Sequence, residues 1–198
     1  MSRVRLILWT VLALAVVAFA ALTAIRNVDE APVKFAVNKT PFTLTNHLGQ
    51  QVDESLFTGK VTALFFGYTH CPDVCPATLG EAVKWRAELG DAASNLQVVF
   101  VSVDPERDSV ELLAEYIPYF HESFIGLTGE PDQVELLTKS LGVYAEKSQI
   151  ESDDVYLVDH TASVYLVDNR GFFASTIGYG EATETAVAKL QRLLDRAG

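Results

Sequence analysis

Cysteine is scarce in this 198-residue chain: there are two, Cys71 and Cys75, and none follows the N-terminal apolar run before them. The missing cysteine excludes lipid attachment at the end of that run. Lys/Arg-rich clusters are missing too. Fifteen basic residues stand against twenty-six acidic ones. Three of the basic residues, Arg3, Arg5 and Arg26, lie in an N-terminal segment without acids, which leaves a formal charge of −14 on the remainder. A phosphate-binding surface needs the opposite sign, so nucleic acid is excluded as the expected partner. Acidic charge of this kind keeps a domain soluble and steers basic partners. There is no Gly/Ser run and no internal repeat, and no proline follows Pro131.

Charge is absent altogether from residues 6–25, LILWTVLALAVVAFAALTAI. At 1.5 Å per residue, a helix of that length spans about 30 Å, the thickness of a bilayer core. The competing reading is a cleaved secretory signal, with a shorter apolar core of about 7–15 residues and Ala18-Phe19-Ala20 as its cleavage site. The length favours one transmembrane helix over residues 1–26 that stays as a membrane anchor. Arg3 and Arg5 put the N-terminus in the cytoplasm and everything after the anchor on the far side. Residues 27–40 read as a tether and 41–198 as one domain. In a bacterium that far side is the oxidising periplasm, where a lone cysteine pair is informative.

Within the domain, residues 42–45 and 51–52 form a small hairpin turning near Gly49. The continuous apolar runs 61–66 and 96–103 predict strands buried on both faces. Helices are expected over 76–89, 108–120, 132–141 and 183–195, with Pro131 suiting a first turn and Gly142 an end. Short strands at 124–127, 164–167 and 172–177 complete the set, the last two flanking the turn Asp168-Asn169-Arg170-Gly171. The alternation implies an α/β fold: a three-layer α/β/α sandwich with a mixed central sheet, fitting a thioredoxin-like arrangement.

The cysteines lie in GYTHCPDVCP, residues 67–76, directly after the first buried strand. Carboxyl ends of strands are where open α/β sheets place their sites, and a helix N-terminus favours thiolate over thiol. Residues i and i+4 of a helical turn share a face, so both sulfurs can reach one metal or each other. A structural disulfide is the plain alternative, but it closes a very small loop and removes little unfolded-state entropy. A metal needs a third ligand. His47 in a polar turn and His121 near a helix end read as surface residues. His70 adjoins Cys71 and points the other way. His160, in YLVDHTASVYLVD, leads into a buried strand, and in a thioredoxin-like sheet that loop faces the cysteines. Two thiolates and one imidazole suit Cu(I). A zinc site completed by water stays open as the alternative.

Three motifs, GYTHCPDVCPATL, VSVDPERDS and DHTASVYLVDNRG, together with FIGLTG between them, resemble the Sco/SenC family over roughly residues 35–195. The resemblance implies a membrane-anchored, thioredoxin-fold copper protein that supports assembly of the binuclear copper centre of cytochrome c oxidase. The copper ligands it implies are Cys71, Cys75 and His160, holding Cu(I) and, as a second state, Cu(II). It implies as partners the oxidase copper-centre subunit and a thioredoxin-like periplasmic reductant, with the protein as a single-pass component of a bacterial inner membrane. The alternative activity is that of a thiol–disulfide oxidoreductase, with Cys71 and Cys75 as redox pair, that reduces the cysteines of the oxidase copper site. The CxxxC spacing and the lack of a late proline weigh against that role alone. A peroxidase with Arg107 as activating cation is a third reading.

Three further expectations concern the surroundings. Asp73 matches the family motif and reads either as an acid at a helix N-terminus or as a loop or partner contact. Pro105 and Asp108 read as strand terminator and helix start, with an Asp104–Arg107 ion pair supporting the site as the alternative. Residues 146–154 read as a polar, mobile loop that brings His160 to the metal.

Overall fold

A computed structural model describes residues 5, 9, 11–13, 36–152 and 155–197. The chain divides into two units, Met1–Lys34 and Phe35–Gly198. In the first, Arg5, Trp9 and residues 11–13 are helical. Most of the expected anchor lies outside the described residues, and among the described residues no helix is long and apolar enough to cross a membrane.

The second unit is built on a seven-stranded mixed sheet. Its strands are β1 (Leu44–Asn46), β2 (Gln51–Val52), β3 (Val61–Gly67), β4 (Leu96–Ser102), β5 (Ile125–Thr128), β8 (Val164–Val167) and β9 (Phe173–Ile177), in the order β2-β1-β5-β4-β3-β8-β9. The pairs β3–β4 and β4–β5 are parallel and the others antiparallel. Every residue of β3 is buried, because helices cover both faces. Ala63 and Phe65 meet α1 (Val74–Leu89), α2 (Val110–Phe120) and α4 (Thr183–Ala197), whereas Leu64 and Phe66 pack with α3 (Pro131–Ser140). This is the three-layer arrangement that the alternation of apolar runs and helical patterns implies. The one polar side chain inside β3, Thr62, accepts a 2.8 Å hydrogen bond from Gln97 on β4.

Three of the differences from expectation bear on the site, each with a physical reason. Helix α1 begins at Val74 rather than residue 76, so Cys75 lies inside its first turn. Pro76 is tolerated there because first-turn N–H groups have no intrahelical acceptor to lose. Helix α2 begins after Asp108, with Ser109 as its cap accepting from Leu112 N. Asp108 is instead fully buried, so its reading as a helix-start residue is corrected. The expected loop over 146–154 is in part a strand. Here β6 (Ala145–Ser148) pairs antiparallel with β7 (Leu157–His160) as a separate two-stranded ribbon. Leu157 to His160 alternate in direction, so Val158 is buried and Asp159 exposed.

The core face covered by α3 lies on the opposite side of the sheet from α1, which carries Cys75. Leu137 of α3 is fully buried there. Leu137→Ala is expected to lower the unfolding free energy by about 3 kcal/mol in a urea titration. A loss under about 0.5 kcal/mol contradicts the packing described.

Candidate metal centre

The parallel pair β3–β4 ends with Gly67 opposite Ser102, which sets two loops side by side at the sheet's carboxyl edge. After β3 the chain turns at Tyr68, whose carbonyl accepts from Cys71 N at 3.2 Å, and then enters α1. Cys71 is half-buried and Cys75 buried, and both are free thiols. The ribbon brings His160 over them. Its Nε2 lies 3.5 Å from Cys75 Sγ, and the ligand atoms of Cys71, Cys75 and His160 all lie within 4.8 Å of one another.

The imidazole is oriented from both sides. Its Nδ1 lies 3.2 Å from the Thr161 carbonyl, and its Nε2 is turned to the sulfurs. Phe65 and Tyr68 meet the ring edge-on at centroid distances of 6.0 and 5.9 Å. The donor set of two thiols and one imidazole nitrogen suits a soft ion content with three ligands.

The two thiols are electrostatically unlike. Cys71 is held far below the ordinary thiol range, first by the hydrogen bond from the Cys75 thiol. Hydrogen bonding to His160 and the backbone N–H groups of Cys75 and Asp73 adds to this, against partial burial. Cys75 is pushed up, first because it gives that hydrogen bond and then because it is buried. One proton is thus shared by two sulfurs, the half-buried one being anionic.

Several contributors have no chemical signature in the sequence. A Cβ on Gly67 would lie 2.6 Å from Cys75 Sγ and 2.9 Å from Phe100, so only glycine lets the thiol pack beneath the strand end. A glycine closing an apolar strand is the one signal that points to such a close approach. Asp108 accepts from Thr69 N at 3.0 Å and Thr69 Oγ1 at 2.6 Å, and from Ser102 Oγ at 2.6 Å. Those bonds tie the cysteine loop to the loop after β4. Burial pushes the Asp108 carboxyl up, and the hydrogen bonds from Ser102 and Thr69 oppose the shift.

The Asp104–Arg107 ion pair is present, with Asp104 2% exposed. Arg107 also donates to the Tyr156 carbonyl and lies over the Tyr156 ring, which makes it a support of the ribbon. Asp73 is exposed and precedes α1 with no side-chain capping bond. Of the other histidines, His70 is exposed and reaches Thr69 Oγ1 at 3.1 Å. His47 is buried, its Nδ1 3.2 Å from Gly126 N, which corrects its reading as a surface residue. His121 binds Ser123 at the end of α2.

The model of the SCO1/SenC family matches residues 31–195. The chain belongs to the SCO1/SenC family. "Protein SCO2, mitochondrial" of Saccharomyces cerevisiae is 37% identical over 153 residues, which is 76% of this chain and 51% of that protein. The chain spans about half the length of the curated relatives it matches. Among solved structures, copper-bound ScoI of Bradyrhizobium japonicum has 39% identity and a TM-score of 0.71 over 77% of this chain and 97% of that one. Apo Sco1 of Thermus thermophilus has 43% identity and a TM-score of 0.70 over 78% of this chain and 90% of that one. The mixed α/β fold with its central mixed sheet is the thioredoxin-like fold of these Sco proteins.

The shared proton makes a prediction for the reduced, metal-free full chain. Because the Cys71 pKa is lowered, its thiolate persists as pH falls below the ordinary thiol range. Iodoacetamide is expected to modify Cys71 before Cys75, at a rate that changes less than about threefold between pH 8 and pH 6. An ordinary thiol loses on the order of 100-fold across that interval. A loss of that size, or first modification at Cys75, contradicts the assignment.

Proposed function

We propose that this protein is a copper metallochaperone that takes copper on Cys71, Cys75 and His160 and passes it to the binuclear copper centre of cytochrome c oxidase. The observation that carries the reading is the convergence of two thiols and one imidazole within 4.8 Å at a sheet edge where Cys71 is open to a partner. Copper in the Bradyrhizobium japonicum relative agrees with the donor set. Cu(I) is the cargo favoured by two sulfurs and one nitrogen, with Cu(II) as a second state. Transfer to an acceptor needs ligands that exchange, and three-coordination leaves a position open to an incoming thiol.

Residues 1–26 serve in this reading as a single-pass anchor with a cytoplasmic N-terminus, and the expected tether of 27–40 is shortened at its far end, where Ala36 bridges Phe172 and Val37 is buried in the core. The copper domain is placed in a bacterial periplasm. Oxidation of the pair there removes the site, so a thioredoxin-like reductant is the implied second partner, beside the oxidase copper-centre subunit.

A second reading is favoured by one specific observation, the unlike thiols. A half-buried Cys71 thiolate beside a protonated, buried Cys75 suits attack followed by resolution. The Cys71 sulfur displaces one sulfur of a target disulfide, forming a mixed disulfide and releasing a target thiolate. Loss of the Cys75 proton to that thiolate then lets Cys75 attack the Cys71 sulfur and close the Cys71–Cys75 disulfide, which expels the second target sulfur as a thiolate that takes its proton from water. The two roles act on the same acceptor, since a copper site built from cysteines must be reduced before it is filled.

Anaerobic Cu(I) titration of the reduced full chain against a competing chelator separates the readings. One Cu(I) per chain is expected, with affinity lowered about tenfold or more in each of Cys71→Ala, Cys75→Ala and His160→Ala. Affinity indifferent to His160 removes the nitrogen ligand and leaves the redox pair as the better account.

A further inference from the structure

The ribbon that carries His160 is a sheet of its own, so its position is set by side-chain attachments rather than by a shared ladder. Tyr156, which directly precedes β7, is gripped by the loop after β4. Its hydroxyl donates to Asp104 Oδ1 at 2.7 Å, and its carbonyl accepts from Arg107 Nη1 at 3.1 Å. The guanidinium lies 3.6 Å from the centre of its ring. Asp104 holds that guanidinium in an ion pair and is itself fixed by Ser102 Oγ, which accepts from Asp104 N at 3.0 Å. From the same ribbon, Lys147 places its Nζ 4.5 Å from the centre of the Tyr156 ring and bonds to Glu106.

Strand periodicity turns this grip into a lever. Tyr156, Val158 and His160 are spaced by two and share a face. Tyr156 and Val158 are 5% and 6% exposed and pack with Tyr68, whose ring also meets His160. At about 3.3 Å per residue the clasped ring and the imidazole lie about 13 Å apart along one strand. Asp104 and Arg107 reach the imidazole through this strand and through the Tyr68 ring, 5.7 Å from the guanidinium, whereas Asp108 binds Thr69 and so acts on the cysteine side.

We propose that Asp104, Arg107 and Tyr156 form a clasp that positions His160 against the two thiols, separately from the Asp108–Thr69 link that positions the cysteines. One loop then carries two fastenings that meet at Ser102 Oγ, which donates to Asp108 and accepts from Asp104 N, and releasing the Tyr156 end of the clasp withdraws the nitrogen while leaving both sulfurs in place. This rests on the copper reading above for its chemical consequence, though the clasp itself is testable without metal.

The test uses the full chain and Tyr156→Phe, which removes the hydroxyl and keeps the ring. In the metal-free protein, amide exchange over residues 157–160 is expected to quicken about tenfold, with residues 71–75 unchanged. Cu(I) affinity is expected to fall about tenfold in Tyr156→Phe, and adding that change to His160→Ala is expected to lower affinity no further. A general loss of stability would instead weaken binding equally in both backgrounds. That additive result, or unchanged exchange over 157–160, overturns the clasp. Should the unaltered chain bind no Cu(I) while exchange still quickens in Tyr156→Phe, the copper reading falls and the clasp stands as the fastening of His160.

Discussion

The buried carboxylate of Asp108 is the contact on which the arrangement of the site depends. It takes three hydrogen bonds, two from Thr69 and one from Ser102, and has no exposed surface. A buried carboxylate is costly unless its lone pairs are satisfied. The loop before Cys71 and the end of β4 must therefore come together for the charge to be tolerated. Ser102 extends the link by accepting from Asp104 N, and Asp104 reaches the ribbon through Tyr156. Two cysteines on one side and a histidine 85 positions later are thus held to a single loop.

Sheet order makes this possible. Because β3 and β4 are parallel neighbours in register from Val61↔Leu96 to Gly67↔Ser102, their following loops emerge at the same edge. The strands are rigid, being buried on both faces, and the chemistry lies just beyond their ends. Gly67 lets the Cys75 thiol lie against the end of β3, and α1 starts early enough to include that cysteine in its first turn. The result is a pair of sulfurs with unlike exposure and unlike protonation on one short segment. A pair of that kind has the chemistry both metal capture and thiol exchange require.

The sheet and its helices are legible in the sequence because their signals are strong and local. The run VTALFFG has no polar residue except Thr62, and Pro131 and Gly142 bracket α3 in the usual sense of helix punctuation. The gathering of Cys71, Cys75 and His160 follows from placing two loops at one sheet edge, which element order suffices to suggest. The ribbon is not legible in the same way. Ala145 to Ser148 are exposed at every position but the last, so there is no buried alternation to mark them as a strand. Asp108 misleads for a different reason. An acid ahead of Ser109 and an apolar run looks like a helix start, and only the packing of β4 against β3 turns it inward. His47 likewise looks like a turn residue until β1 pairs with β5 and covers it.

The central claim is that these three side chains act together on one ion. Copper-edge X-ray absorption of the full chain loaded anaerobically with one equivalent of Cu(I) tests it most directly. The account predicts a three-coordinate ion with two sulfur neighbours and one nitrogen neighbour, the nitrogen disappearing in His160→Ala. A sulfur-only ion, or a nitrogen signal unchanged by that substitution, contradicts it.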